Sequence, residues 1–287
     1  MDFRLTEDQR ALRKGVRELL DRRFDRDALR GALGSGRLDR ALWRELGAAG
    51  FFALRLPESQ GGVGLGLPEA VLVFEEAGRV LLPGPLVATH LAAGSVPGAA
   101  EGEVVVTEAA EGLVPWLDAA DVVIGDVTGA VPMRSVDPLT PLHRVPGRVT
   151  TTEVSTAVLL TAAEQVGSAD ASTGTAVRYA REREQFGQAV GGFQAVKHLC
   201  AGMLVRTELA RAAVRAASVT ADPVEIAGAK LLADEAAIGN ARDCLQVHGG
   251  MGFTWEADVH LHLKRAWVRA RLRLPEARAE ELVAAAL

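Results

Sequence analysis

The sequence predicts a mainly α protein with a small β segment set between two helical parts. Three observations carry this. Apolar residues recur at helical spacing near both ends of the chain. Between about 101 and 149 the texture changes to short β-branched runs separated by Pro, Gly and Asp. With 287 residues, 48% hydrophobic and 24% charged, the chain can bury the cores of more than one globular unit. The expected division is an N-terminal helical domain at 1–98, a reduced β-domain at 99–149 and a C-terminal helical bundle domain at 150–287.

The first helix follows Thr6, a suitable N-cap with Glu7 and Asp8 in the first turn, and its apolar stripe is Leu5, Leu12, Val16, Leu19 and Leu20. A second helix is expected from near Leu38, with Trp43, Leu46 and Ala49 facing inward and Gly50 ending it. Leu56-Pro57-Glu58-Ser59-Gln60-Gly61-Gly62-Val63-Gly64 is glycine-rich, but no Lys-Ser/Thr pair follows it and no strand precedes it, which favours a turn over a phosphate cradle. Pro68 opens a helix whose Val71, Phe74 and Ala77 point inward, and Pro83-Gly84-Pro85 separates it from the next. Strands are expected at Val104-Val105-Val106-Thr107 and Val122-Val123-Ile124. Thr150 and Glu153 make a capping box, and helices are expected over about 152–181, 193–218, 223–246 and 256–273, with a short one after Pro275. Long helices joined by tight loops form a bundle, in which Phe193, Val196, Cys200, Met203 and Thr207 mark one buried stripe.

Composition limits the function. The net charge of −5 argues against general nucleic-acid binding, which needs a basic surface. Apolar stretches break off before the ~18 residues of a membrane span, and Met1-Asp2-Phe3-Arg4 lacks a signal-peptide pattern, so the cytoplasm is the expected location. Cys200 and Cys244 lie in apolar helical patterns and are expected as buried free thiols, with no metal-ligand cluster beside them. One stretch is locally basic: Lys264, Arg265, Arg269, Arg271 and Arg273, with two histidines and no acid between Val259 and Pro275. A solvated or interface-facing helix flank is the plainer reading, and a role near phosphates is the other.

Two loops carry candidate chemistry. Arg183 lies at the end of a long helix, where a planar guanidinium can give a diphosphate two parallel charge-assisted bonds. Arg178, Arg181, Glu182 and Glu184 around it also read as an ordinary salt-bridged helix face. In Gln246-Val247-His248-Gly249-Gly250-Met251-Gly252-Phe253 the glycines permit a phosphate or ribose to approach the main chain, and they equally permit a simple helix cap. His248 has no carboxylate or nucleophile in a recognisable arrangement and reads as a packed, backbone-bonded histidine. Hydrolase, zinc-peptidase and Rossmann signatures are missing.

Several motifs in order give the chain a resemblance to the acyl-CoA dehydrogenases over nearly its whole length. They are Phe3-x-Leu5-Thr6-Glu7-Asp8-Gln9, Trp43-x-x-Leu46-Gly47-x-x-Gly50, Leu56-Pro57-Glu58 with Gly61-Gly62-x-Gly64, and Glu75-Glu76-x-Gly78-Arg79. Further along come Arg183-x-x-Phe186-Gly187, Phe193-Gln194-Ala195-Val196, Lys230 in an Ala-rich helix, and Gln246-x-x-Gly249-Gly250-x-Gly252-Phe253. The resemblance implies FAD at a subunit interface. Arg183, Gln185, Phe186, Gln194, Gln246, Gly249 and Gly250 are then the residues that reach the diphosphate and adenosine half of a neighbour's FAD. The family's flavin-ring loops in the middle domain are represented here only by fragments such as Thr107-Glu108, Ala119-Ala120-Asp121 and Val136-Asp137.

In that family a glutamate removes the α-proton of an acyl-CoA thioester while the β-hydride passes to the flavin. The two positions that carry this glutamate correspond to Arg273, 23 residues beyond Gly250, and to Ala157, 26 residues before Arg183. Neither side chain can accept the proton, so the chain has no catalytic residue of its own at these points. A short chain without a base resembles one member of the heteromeric acyl-CoA dehydrogenases of actinobacteria, α2β2 assemblies of unlike subunits that act on steroid side-chain CoA thioesters. The resemblance implies a second acyl-CoA dehydrogenase-like subunit that supplies the glutamate. The alternatives are a self-sufficient homo-oligomer using a displaced carboxylate such as Glu153 or Glu164, and a non-catalytic structural subunit.

Overall fold

The structure, a computed structural model, describes residues 4–146 and 155–286. The predicted capping box of Thr150 and Glu153 lies outside the described residues. Helix α1 (Glu7–Arg23) starts as expected at Thr6, whose hydroxyl accepts from Gln9 N while the Gln9 side chain accepts from Thr6 N. Leu20 is fully buried, and Leu12, Val16 and Leu19 pack partly against the same core.

The helix expected near Leu38 is the third, not the second. A helix α2 (Arg26–Ser35), capped by Asp25, precedes it, and α3 (Arg40–Ala48) is capped by Asp39. Trp43 and Leu46 are buried as expected, whereas Ala49 is exposed. The glycine-rich stretch is a turn: Glu58–Gln60 forms one short 3-10 segment, and Gly62 lies so close to Leu56 that a Cβ would sit 2.1 Å from the Leu56 carbonyl oxygen. Helices α4 (Leu67–Arg79) and α5 (Leu86–Ala92) follow on either side of Pro83-Gly84-Pro85.

Among the described residues the middle segment has five strands of three residues, β1 (Val106–Glu108), β2 (Leu113–Pro115), β3 (Val122–Ile124), β4 (Val131–Met133) and β5 (Leu142–Arg144). The two predicted runs do pair, in parallel, with Val106 opposite Val122. The other three strands form an antiparallel sheet with β5 in the centre. Pro115 and Pro132 sit on its two edge strands, where a missing N–H breaks no ladder.

The C-terminal part is built on α6 (Thr156–Glu182), α7 (Gln194–Thr220), α8 (Pro223–His248) and α9 (Val259–Leu272), with α10 (Glu276–Ala284) packed on α8. On the predicted α7 stripe Met203 and Thr207 are buried, while Phe193, Val196 and Cys200 are half-buried. Cys244 is buried and Cys200 is half-buried; both are free. A buried chain of polar groups joins α8 to α6: Lys230 pairs with Asp234, which accepts from Gln165 Nε2 at 2.9 Å.

One core cluster runs from Leu20 through α3, α4 and α5 into α6, α7 and α8. It is possible because α4 and α6 cross in close contact. A Cβ on Gly78 would lie 2.0 Å from the Glu164 carbonyl oxygen, and one on Gly167 would lie 1.8 Å from that of Glu75. Beside the crossing, buried Glu76 accepts from Arg13, Arg17 and Arg79 at 2.6–2.9 Å, and Glu75 accepts from Arg211 at 2.8 Å. These bonds join α1, α4 and α7. Among the described residues no helix is long and apolar enough to cross a membrane, and no group of His, Cys, Asp and Glu is arranged to hold a metal ion.

Candidate functional site at one end of the helical bundle

Helix α6 ends at Glu182, and the chain turns extended at Arg183, whose N–H still bonds Tyr179 O at 2.8 Å. The next residues form a two-residue hairpin, β6 (Glu184–Gln185) against β7 (Gln188–Ala189), closed at its base by Val190 N to Arg183 O at 2.7 Å. Both turn residues have positive φ, Phe186 at 54° and Gly187 at 80°, as a tight hairpin of this hand requires. The turn leaves the Phe186 ring 90% exposed, with only an edge contact to Phe193. The chain then lies against α6: a Cβ on Gly191 would meet Ala180 O at 2.8 Å. Gln194 opens α7, with its amide 3.2 Å from His198 Nε2.

The second loop leaves α8 at the same end. Gly249 takes φ 58° and ψ −141°, a conformation suited to glycine, and Gly249–Phe253 forms a short 3-10 turn. A Cβ on Gly252 would crowd Leu245 O at 2.9 Å, while Gly249 and Gly250 face open space. Tyr179 joins the two loops by stacking on His248 with ring centroids 4.0 Å apart. His248 is a packed histidine as expected: its Nδ1 lies 2.8 Å from Cys244 O, and burial holds its pKa below the ordinary value.

Arg183, Gln185, Phe186, Gln194, Gln246, Gly249 and Gly250 are all exposed at this end. The salt-bridged face read around Arg183 is absent. Among the described residues Arg178, Arg181, Arg183, Glu182 and Glu184 form no ion pair, and Arg178 bonds only Thr175 Oγ1 at 3.3 Å. Arg183 and Glu184 lie beyond the last residue of α6, where the helical spacing that pairs charges ends.

At the other end of α6 the positions compared with a catalytic glutamate are closed. Ala157 is buried and carries no polar group. Arg273 Nε donates to Glu108 Oε1 at 2.7 Å, and its Nη1 lies 3.3 Å from Thr161 Oγ1. One turn back on α9 Arg269 Nη2 donates to Glu164 Oε1 at 2.7 Å, and one turn further Arg265 pairs with Asp137. Arg265 also donates to the carbonyls of Leu82 and Leu139. The three arginines are buried. This corrects the reading of a solvated helix flank at these positions, since the three guanidiniums are buried against carboxylates of the chain itself. Their acids are Glu108, Asp137 and Glu164, supplied by the middle segment and α6, remote in sequence from α9.

A small cleft remains among Leu86, Thr107, Trp116, Thr161, Glu164 and Arg273. Arg273 and Glu164 stand out in the sequence, but that each is held by a partner is visible only in the fold. The run of arginines without a local acid was the only signal. Thr161 beside this cleft and Arg183 at the exposed end are 22 residues apart along α6, about 33 Å at the helical rise.

Residues 6–102 match the acyl-CoA dehydrogenase N-terminal domain and residues 148–273 match the acyl-CoA dehydrogenase C-terminal domain. Acyl-CoA dehydrogenase IpdE2 of Mycobacterium tuberculosis is 36% identical over 93% of this chain and 93% of its own length. The chain belongs to the acyl-CoA dehydrogenase family. Among solved structures, the fold of this acyl-CoA dehydrogenase is similar to that of a Tcur3481–Tcur3483 steroid ACAD variant, with a TM-score of 0.83 at 24% identity, covering 97% of both chains. It is also similar to the ChsE4–ChsE5 complex from Mycobacterium tuberculosis, with a TM-score of 0.81 at 23% identity, covering 100% of this chain and 98% of that one.

Proposed function

We propose that this chain is one subunit of a FAD-dependent acyl-CoA dehydrogenase of the cytoplasm, acting in an α2β2 assembly with a second acyl-CoA dehydrogenase-like subunit. It completes a FAD site that the partner builds, and the partner supplies the glutamate that removes the α-proton. The reaction is α,β-desaturation of an acyl-CoA thioester. A steroid side-chain thioester is the substrate class favoured by the likeness to the Tcur3481–Tcur3483 steroid enzyme.

The observation that carries this reading is the separation of the two ends of α6. The exposed loops lie about 33 Å from the chain's own cleft, so they serve a neighbour's site. At that cleft the two glutamate positions are Ala157 and Arg273, and Arg273, Arg269 and Arg265 each hold a carboxylate there in an ion pair. Of the two displaced carboxylates considered, Glu164 is held by Arg269, and Glu153 lies outside the described residues.

The donor set at the exposed end suits the diphosphate and adenosine half of FAD. Arg183 offers a fork without a carboxylate partner, Gln185, Gln194 and Gln246 offer amides, and Phe186 offers an exposed ring face. Gly249 and Gly250 leave the backbone open to a phosphate or ribose. When bound, the flavin supplies the hydride acceptor. The role of this chain's residues is to hold the far half of that group by charge-assisted bonds and to keep its ring in the partner's pocket. Arg183→Ala or Gln246→Ala in the complex is expected to weaken FAD retention by about 1.5 to 3 kcal/mol, roughly ten- to a hundred-fold in affinity. Flavin absorbance after gel filtration measures this, and unaltered flavin content in both variants would remove the reading.

A further inference from the structure

The stretch that follows the glycine loop is held from the far end of the sequence. Arg26 and Arg30 lie one turn apart on the same face of α2. Arg26 Nε donates to Asp258 Oδ2 at 2.6 Å and its Nη2 to Glu256 O at 2.9 Å. Arg30 Nη1 donates to Trp255 O at 2.6 Å and Nη2 to Glu256 O at 3.2 Å, and its guanidinium also pairs with Asp258. Two forks thus take up two main-chain carbonyls and one carboxylate within four residues. The other holds on this stretch are local: the Trp255 ring meets His260 edge-on with centroids 4.7 Å apart and lies 4.2 Å from the Lys264 ammonium, and Ala257 packs partly against the cluster of Cys244, Leu245 and Val259. Phe253 is 74% exposed and Trp255 61%, and its own main-chain bonds are the turns Thr254 N to Met251 O and Ala257 N to Thr254 O. The Asp258 side chain, at the N-cap of α9, makes no capping bond to that helix, whose Leu261 N bonds the Asp258 carbonyl at 3.0 Å.

The helix that carries the forks is itself anchored. Asp25 accepts from Ala28 N at 2.9 Å, and Leu29, Ala32 and Leu33 pack against a small cluster of Leu81, Leu139 and Leu261. The contact therefore refers the loop to a packed part of the molecule, not to another loop. Arginine suits the task because its planar fork bonds two acceptors in fixed directions, which a lysine ammonium does not.

We propose that Arg26 and Arg30 are positioning residues for the flavin-reaching loop: by fixing 255–258 they set the path of Gln246–Phe253 toward the partner's cofactor. The proposal rests on the reading of that loop given above. Its test uses the full chain, first alone and then in the complex. Amide hydrogen exchange over 249–258 in the lone chain is expected to speed up on the order of tenfold in Arg26→Ala/Arg30→Ala, with the helical circular dichroism unchanged. In the complex that variant loses flavin, Arg26→Lys/Arg30→Lys retains an intermediate amount, and Arg26→Asp combined with Asp258→Arg recovers part of what Arg26→Asp alone loses. Unchanged exchange in the lone chain would overturn the clamp itself. Faster exchange with full flavin retention, in a complex where Arg183→Ala does lose flavin, would overturn the positioning role. If Arg183→Ala also keeps its flavin, the reading of the loop fails and the proposal falls with it.

Discussion

At the scale of single residues, burial sets the charge state of groups the sequence leaves ambiguous. His90 is 5% exposed and packs edge-on against Phe74, and burial pushes its imidazole down to about 4. His262 is pushed to about 4 in the same direction, by burial and then by Arg265 and Arg269. Both are neutral in the folded chain at pH 7, while in the unfolded chain each takes up a proton below about 6.5. The unfolded state therefore binds more protons between about 6.5 and 4, and stability falls as pH falls through that window, by up to ~1.4 kcal/mol per unit from His90. Urea unfolding as a function of pH measures this, and His90→Gln is expected to flatten the slope. Residues whose role depends on a local pattern were legible in the sequence: Thr6 caps α1, and Gly50 stands just past the end of α3 with positive φ. Residues whose role depends on a remote partner were not. Arg265, Arg269 and Arg273 read as surface charge because Asp137, Glu164 and Glu108 reach them only through the fold.

At the scale of elements, the long helices were readable because each carries an apolar stripe over many turns. Helix α2 was missed for the opposite reason: its ten residues hold two glycines, and none of its side chains is fully buried. Strands β2, β4 and β5 were missed because three-residue strands, two of them containing Pro, leave no alternation to detect. The crossing of α4 and α6 was also illegible, since Gly78 and Gly167 acquire their meaning only when the two helices meet. With the Glu75 carbonyl oxygen 1.8 Å from where a Gly167 Cβ would sit, Gly167→Ala must push the helices apart. It is expected to cost about 3 kcal/mol, at the upper end of overpacking effects because backbone has to move. Denaturant unfolding compared with an alanine substitution at Gly174, which has open space around it, checks that value.

At the scale of the whole molecule, α6 separates two regions of opposite character. Its C-terminal end presents an unpaired arginine, three amides and an exposed phenylalanine, and its N-terminal end is closed by buried ion pairs where a catalytic glutamate is lacking. The family resemblance was legible because its motifs are local and ordered. The closure of the cleft was not, because it is made of contacts between the middle segment, α6 and α9. Under the function proposed above, the chain gives its exposed end to a partner and keeps no active site for itself. The most direct test is the visible absorbance spectrum of the chain alone and of its complex with the partner subunit, before and after anaerobic addition of acyl-CoA thioesters, a steroidal one included. The account predicts no bleaching flavin in the lone chain, and in the complex one bleaching flavin for each pair of unlike subunits. Flavin that the lone chain binds and an acyl-CoA bleaches would contradict it, and would mean that a carboxylate of this chain reaches substrate after all.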